Sequence, residues 1–168
     1  MSDFTIRPYR ASDLERCRAL WVELTQRHRD IYEDPNIGGD APGLYFDKHL
    51  AQVGPERVWV AERDEVVGLV SLIVEGKEAE VEPIVVAATH QGQGIGQALI
   101  ERMVKEAKEL EMSYLNVKPV ARNVEAIAFY HAAGLNILGN IEMFMDLRSP
   151  ASTAWKSGVE LFGRTFEY

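Results

Sequence analysis

Gly92, Gly94 and Gly96 alternate in a short loop of this chain, and two carboxylates, Glu80 and Glu82, stand just before it. The residues between, with Val81, Ile84, Val85 and Val86, form an apolar, β-branched run that reads as a strand. After the loop, Ile95, Ala98, Leu99, Met103, Ala107 and Leu110 recur at helical spacing. Glycines at such a junction let the backbone approach a ligand closely, and they leave the first N–H groups of the helix unpaired. With the positive end of the helix dipole behind them, those groups form an anion site suited to a phosphate or pyrophosphate. Glu80 and Glu82 are two positions apart and therefore share one face of the strand.

Three phosphate-binding designs produce a loop of this kind. A P-loop ends in Gly-Lys-Ser/Thr, whereas Gly96 is followed by Gln97 and Ala98. A dinucleotide fold carries Gly-x-Gly-x-x-Gly after its first strand, whereas the spacing here is Gly-x-Gly-x-Gly and the loop lies past mid-chain. The third design fits: Gln91-Gly92-Gln93-Gly94-Ile95-Gly96 resembles the (Gln/Arg)-x-x-Gly-x-(Gly/Ala) signature of the GNAT superfamily of acyl-CoA-dependent N-acyltransferases. A second stretch, Asn123-Val-Glu-Ala126-Ile-Ala-Phe129-Tyr130 through Gly134 and Leu135, is similar to that superfamily's Asn-x-x-Ala-x-x-(Phe/Leu)-Tyr-x-x-x-Gly-Phe segment, at the expected distance. The resemblance spans residues 4–147 and is strongest over 80–135.

The resemblance implies an acetyl-CoA-dependent N-acetyltransferase that works by direct attack in a ternary complex. It implies that Gln91, Gly92, Gln93, Gly94, Ile95, Gly96 and Gln97 hold the CoA pyrophosphate. Ile84, Val85 and Val86 would line the acyl group and pantetheine arm, with the Ile84 N–H meeting the acyl oxygen. Asn123 and Tyr130 match positions beside the cofactor, and Tyr130 matches the general acid towards the leaving thiolate. A glutamate on the strand activates the amine in many members, and Glu80 matches its most familiar position, with Glu82 beside it. One departure is that the loop carries no Lys or Arg, so Lys118 and Arg122 become candidates for phosphate contact. No metal is called for.

These residues need elements to hold them. In chain order, residues 4–9 read as a strand, 12–26 as a helix with Leu14, Cys17, Leu20, Trp21 and Leu24 on its apolar face, and 44–53 as a second helix. Between the helices runs a loop punctuated by Pro35, Gly38, Gly39, Pro42 and Gly43, and made acidic by Asp30, Glu33, Asp34 and Asp40. Strands follow over 57–62, 65–74 and up to 86, with turns short enough for an antiparallel meander. A helix then separates this meander from a parallel strand over 113–117. The motif helix from Asn123 stops at Gly134, and two closing strands are expected over 136–140 and 141–147. The fold expected is a single α/β domain, residues 1–148, whose mixed, largely antiparallel sheet of about 6–7 strands is flanked by helices. Its sheet is splayed at the strand ending at Val86. The tail, 149–168, holds Trp155, Leu161, Phe162, Phe166 and Tyr168, too many large apolar groups to stay solvated. It packs on its own domain or on a second subunit, the latter giving a homodimer.

Composition narrows the partners. The net charge of −8, from 26 acidic and 18 basic residues, argues against nucleic acid, which needs clustered Lys and Arg. It favours a cationic acceptor, a small-molecule or peptide amine. No apolar run reaches the length of a membrane span and the N-terminus lacks a signal-peptide pattern. A single cysteine, Cys17, excludes an intramolecular disulfide and suits a reducing cytoplasm. Two other classes compete with the enzyme: a catalytically silent acyl-CoA-binding regulatory module, and a Rossmann-type nucleotide-binding domain, which the antiparallel meander disfavours.

Overall fold

Four strands, β1 (Thr5–Pro8), β2 (Val58–Glu62), β3 (Val66–Glu75) and β4 (Glu78–Val86), run antiparallel in sequence order. A fifth, β5 (Tyr114–Asn116), adds to β4 in parallel, as it must when a helix makes the crossover. That helix is α3 (Ile95–Glu109), while α1 (Leu14–Tyr32) and α2 (Leu44–Val53) lie between β1 and β2 in sequence. The computed structural model describes residues 3–150 and 154–168, and its backbone groups into two units, Met1–Lys118 and Pro119–Tyr168.

In the first unit the sheet is covered on both faces. Leu69 of β3 joins Cys17 and Leu20 of α1, Phe46 of α2, and Val58, Val60 and Val85 in one apolar cluster. Gly68, the next residue along β3, faces the other way, where an added Cβ would lie 3.2 Å from both Ile95 and Leu99 of α3. The helix packs there too closely for any larger residue. Burial of each such Leu, Ile or Phe stabilises the fold by about 1.5–3 kcal/mol, which is why β3 reads as a continuous apolar run rather than an alternating one.

A polar clasp fixes the start of this unit. The Arg7 guanidinium of β1 donates to Asp13 at 2.8 and 2.9 Å and to Glu62 of β2 at 2.7 Å twice. Asp13, buried, also accepts from the Arg10 N–H at 2.8 Å. The hydrogen bonds from Arg7, opposed by burial and helped by that backbone bond, hold its carboxyl below the usual carboxylate range.

The first helix outruns the expected end at residue 26. Nothing between Arg27 and Tyr32 breaks a helix, so the turns continue until Glu33 enters the left-handed region at φ 55°. Asp30 consequently lies on the helix. Arg29 holds the loop that follows by donating to Ile37 O at 2.8 Å and Gly39 O at 2.7 Å.

The second unit contains α4 (Val124–Ala132) and a hairpin of β6 (Ser157–Leu161) and β7 (Arg164–Glu167). Over 136–147 no regular structure forms, contrary to the expected closing strands. Alternating apolar residues make a strand only where a neighbouring backbone supplies the ladder, and no strand among the described residues pairs with this stretch. The described part of the tail, by contrast, pairs with itself. Trp155 donates to Asp146 at 3.3 Å, meets the Phe144 ring edge-on at 5.3 Å, and lies under the guanidinium groups of Arg122 and Arg148. Residues 151–153 of the expected tail lie outside the described residues.

Candidate active site

The ladder between β4 and β5 is short. It pairs Glu78 with Tyr114, Ala79 with Leu115 and Glu80 with Asn116, and there it stops. From Val81 to Val86 the outer edge of β4 has no strand paired to it among the described residues, the splay expected at this strand. On its inner edge β4 keeps pairing with β3, but the register shifts between Val70↔Ile84 and Leu72↔Val81. Glu82 and Pro83 thus stand opposite the single residue Ser71, a bulge at which Pro83 has no N–H to lose.

Alternation settles which N–H groups face the open edge. The Ala87 N–H is bonded to Val67 O of β3 at 2.9 Å. Successive residues of a strand point their backbone groups to opposite sides, so Val85 also faces β3, while Ile84 and Val86 face outward. The Ile84 N–H therefore lies on the unpaired edge, where a carbonyl oxygen can reach it. The Val86 carbonyl on the same edge accepts from Gln91 Nε2 at 3.0 Å.

Glu80 and Glu82 share the face that the sequence assigns them, and their surroundings differ. The Glu80 side chain is only 15% exposed and accepts a hydrogen bond from Lys118 Nζ, just beyond β5. That carboxylate raises the Lys118 pKa and keeps its ammonium charged. The Glu82 carboxyl lies above the usual range. Partial burial is the first cause, followed by the negative charge of Glu80 and a hydrogen bond that favours the protonated form. Although Glu82 as a whole residue is exposed, its carboxyl group is the one held poorly solvated. Lys118, a candidate for phosphate contact in the sequence, is committed to Glu80; the 38 positions between them left no signal of the pairing.

The glycine loop opens α3 as expected. Gly92 and Gly94 adopt φ of 72° and 82°, and a Cβ added at either would meet nothing within 4 Å. No side chain caps the N-terminus of α3, and its Ala98 N–H bonds Gly94 O at 3.1 Å. The first N–H groups of this helix lack a side-chain cap and follow glycines with free space around them, which fits an anionic group. Gln91 and Gln93 turn their amides inward instead: Gln91 to Val86 O, and Gln93 Nε2 to Thr89 O at 3.2 Å. Gln97 donates to Glu101 at 3.0 Å. Their backbone, rather than their side chains, is what a ligand would meet. Two residues that sequence reading missed brace the same loop. Glu23 of α1 accepts from the Ala88 N–H at 3.0 Å, and Arg63 donates to Gln93 Oε1 at 2.8 Å.

Asn123 and Tyr130 belong to the second unit. Asn123 caps α4, its side chain accepting from the Ala126 N–H at 3.1 Å, worth about 1 kcal/mol to the helix. Tyr130 is half-buried and packs its ring against Phe129 at 5.3 Å. Arg122, the other phosphate candidate, donates to Ala154 O at 2.6 Å. Cys17 is fully buried, and burial pushes its thiol up to about 12, so it cannot serve as a covalent nucleophile at neutral pH. An open hollow of about 440 Å³ is lined by Gln26, Arg29, Asp30, Glu33, Asp34 and Pro35, all from α1 and the loop after it. Among the described residues no group of His, Cys, Asp and Glu is arranged to hold a metal ion, and no helix is long and apolar enough to cross a membrane.

Comparison with known proteins agrees with this geometry. Residues 18–135 match the family described as Acetyltransferase (GNAT) family. The uncharacterized protein YdhI of Bacillus subtilis strain 168 is 31% identical over 75 residues, 45% of this chain and 46% of that one. The match therefore spans about half the length of that curated relative. Among solved structures, glucosamine-6-phosphate N-acetyltransferase from Arabidopsis thaliana superposes with a TM-score of 0.62 at 19% identity, over 86% of this chain and 99% of that one. Rv2747 from Mycobacterium tuberculosis, solved in complex with CoA, gives a TM-score of 0.52 at 23% identity, over 76% and 70%. At these identities both likenesses speak for the fold.

Proposed function

The chain belongs to the GNAT acetyltransferase family, and from that premise we propose that it transfers an acetyl group from acetyl-CoA to a cationic primary amine by direct attack. Its fold is the α/β fold of that family, a mixed five-stranded sheet with four helices among the described residues. The observation that carries the proposal is the open edge of β4, with the Ile84 N–H directed into the gap beyond Glu80 and Asn116.

When bound, acetyl-CoA supplies an activated thioester. The backbone N–H groups at the start of α3 would take its pyrophosphate, with the helix dipole providing the positive charge that the loop side chains lack. Ile84 N–H would donate to the acyl oxygen as negative charge builds on it; one such donor is worth about 2.7–4 kcal/mol in comparable sites. An amine of pKa about 10 lies three pH units from its nucleophilic form, a penalty of about 4 kcal/mol at neutrality. Glu82 removes it by accepting the ammonium proton. A carboxyl raised above its ordinary value is closer in basicity to the amine and so a better acceptor. Glu80, already bonded to Lys118, contributes charge and raises the Glu82 pKa. This assignment favours Glu82 where sequence position alone favoured Glu80. The N–C bond forms and the C–S bond breaks; Tyr130, by its motif position, would protonate the thiolate and take in return the proton that the nitrogen sheds on becoming an amide, while the ammonium proton held by Glu82 passes to solvent.

The cationic acceptor follows from the charge. Two carboxylates on one face of β4 attract an ammonium, and Glu80 already holds one in the Lys118 side chain. The test is calorimetric titration of the purified protein with CoA and with NAD. Saturable binding of CoA and none of NAD supports the reading; the reverse pattern overturns it.

A further inference from the structure

Resting on the reading of the glycine loop as the CoA site, we propose that Arg63 is a positioning residue for that loop, acting through Gln93. Open space around Gly92 and Gly94 means that packing does not hold the loop in its left-handed turns. Fixing a residue in one backbone well costs about 1–2 kcal/mol, and glycine loses the most freedom. Side-chain hydrogen bonds must therefore impose the shape.

The chain of bonds begins at the N-terminal segment. Asp3 accepts from Arg63 Nη2, and Arg63 Nη1 donates to Gln93 Oε1 at 2.8 Å. Gln93 Nε2 then donates to Thr89 O at 3.2 Å, spanning the loop from within. Chemistry fixes the orientation of the Gln93 amide: a guanidinium only donates and a carbonyl only accepts, so the oxygen must face Arg63 and the nitrogen Thr89. The guanidinium itself is held firmly. Its side chain is 22% exposed, Asp3 fixes one end of the fork, and its backbone N–H bonds Glu65 O at 3.0 Å in the β2–β3 turn. Because Asp3 neutralises much of its charge, Arg63 acts on the shape of the loop more than on its potential. The clasp supplies from 30 positions away the order that a loop free of Lys and Arg does not provide itself.

Arg63→Ala, Gln93→Ala and the double variant test this by calorimetric Kd for CoA, by amide exchange of residues 89–94 without ligand, and by steady-state kinetics. Each single variant should weaken CoA binding about tenfold, equivalent to about 1.4 kcal/mol, and the double variant no further. Amide exchange should quicken and KM for acetyl-CoA should rise in each, and in Arg63→Ala kcat and the amine KM should stay at wild-type values. Losses that add in the double variant, or an Arg63→Lys variant that restores affinity even in the Gln93→Ala background, would mean that Arg63 acts by charge and would overturn the clasp. So would folded single variants with wild-type affinity. A wild-type protein with no affinity for CoA would instead remove the reading of the site, and this inference with it.

Discussion

Lys118 donates a hydrogen bond to Glu80, the residue at which the β4–β5 ladder ends. An ammonium thus already sits against one of the two carboxylates that flank the open edge of β4. The pairing holds Glu80 in service to Lys118 and leaves Glu82, raised by burial and by the Glu80 charge, as the group able to take a proton.

Glu82→Gln should lower kcat/KM for the best amine by about 10²-fold at neutral pH, the low end for general acid–base catalysis. Part of the loss should return at high pH, where the amine is already neutral. Glu80→Gln should do less. For wild type, kcat/KM should rise with pH as Glu82 ionises above its ordinary value. Equal pH–rate profiles for both variants and wild type would return the two glutamates to a solvated sheet face.

The same shift has a consequence for stability. A carboxyl whose folded pKa is raised penalises the folded state once pH exceeds the unfolded value, and has no effect below it. Thermal melts at neutral pH should therefore show Glu82→Gln as stable as wild type or more so, with the advantage vanishing below about pH 4.

Gly94→Asp should weaken CoA binding at least tenfold while the fold survives. A Cβ added there meets nothing within 4 Å, and the left-handed backbone costs the new residue about 1–2 kcal/mol. A carboxylate at that point would repel the pyrophosphate. Calorimetry on a variant of unchanged circular dichroism decides it, and unchanged affinity would misplace the site.

Tyr130→Phe keeps the ring against Phe129 and removes only the hydroxyl. A fall in kcat of about 10²-fold with little change in Kd for acetyl-CoA is expected. Wild-type kcat, with chemistry shown to limit turnover, would leave Tyr130 a packing residue.

Asp13→Asn should cost about 3 kcal/mol at neutral pH by urea unfolding, within the range for breaking a buried pair. Arg7 holds the Asp13 pKa down in the folded state, so this stability is present above the unfolded value and is lost as pH falls through the folded one. The gap between variant and wild type should close in acid.

Local periodicity carried most of the fold. The meander, α3 and the helix opening at Asn123 were legible because each depends on residues a few positions apart, whereas the splay at β4 followed from the family resemblance. The end of α1 was missed because Pro35 and the glycines after it mark where a helix cannot continue, not where it stops. Residues 136–147 alternate as a strand does, yet pairing depends on a neighbour that sequence does not specify. At the site, the glycines and carboxylates were visible by type and spacing. Lys118 on Glu80, Arg63 on Gln93 and Glu23 on Ala88 were not, since each joins elements far apart in the chain and a charged surface residue looks the same whether or not it has a partner.

Acetyl transfer itself is the most direct test. Purified protein incubated with acetyl-CoA and a panel of amines, polyamines, amino acids, peptide N-termini and aminoglycosides, would be followed by thiol release and by mass of the product. The account predicts amine-dependent CoA release with one acetyl group added to a cationic amine, fitted by intersecting initial-velocity lines and weakened by added salt. Tight CoA binding without transfer to any amine would contradict it and leave an acyl-CoA-binding module; an anionic acceptor insensitive to salt would contradict the role given to Glu80 and Glu82.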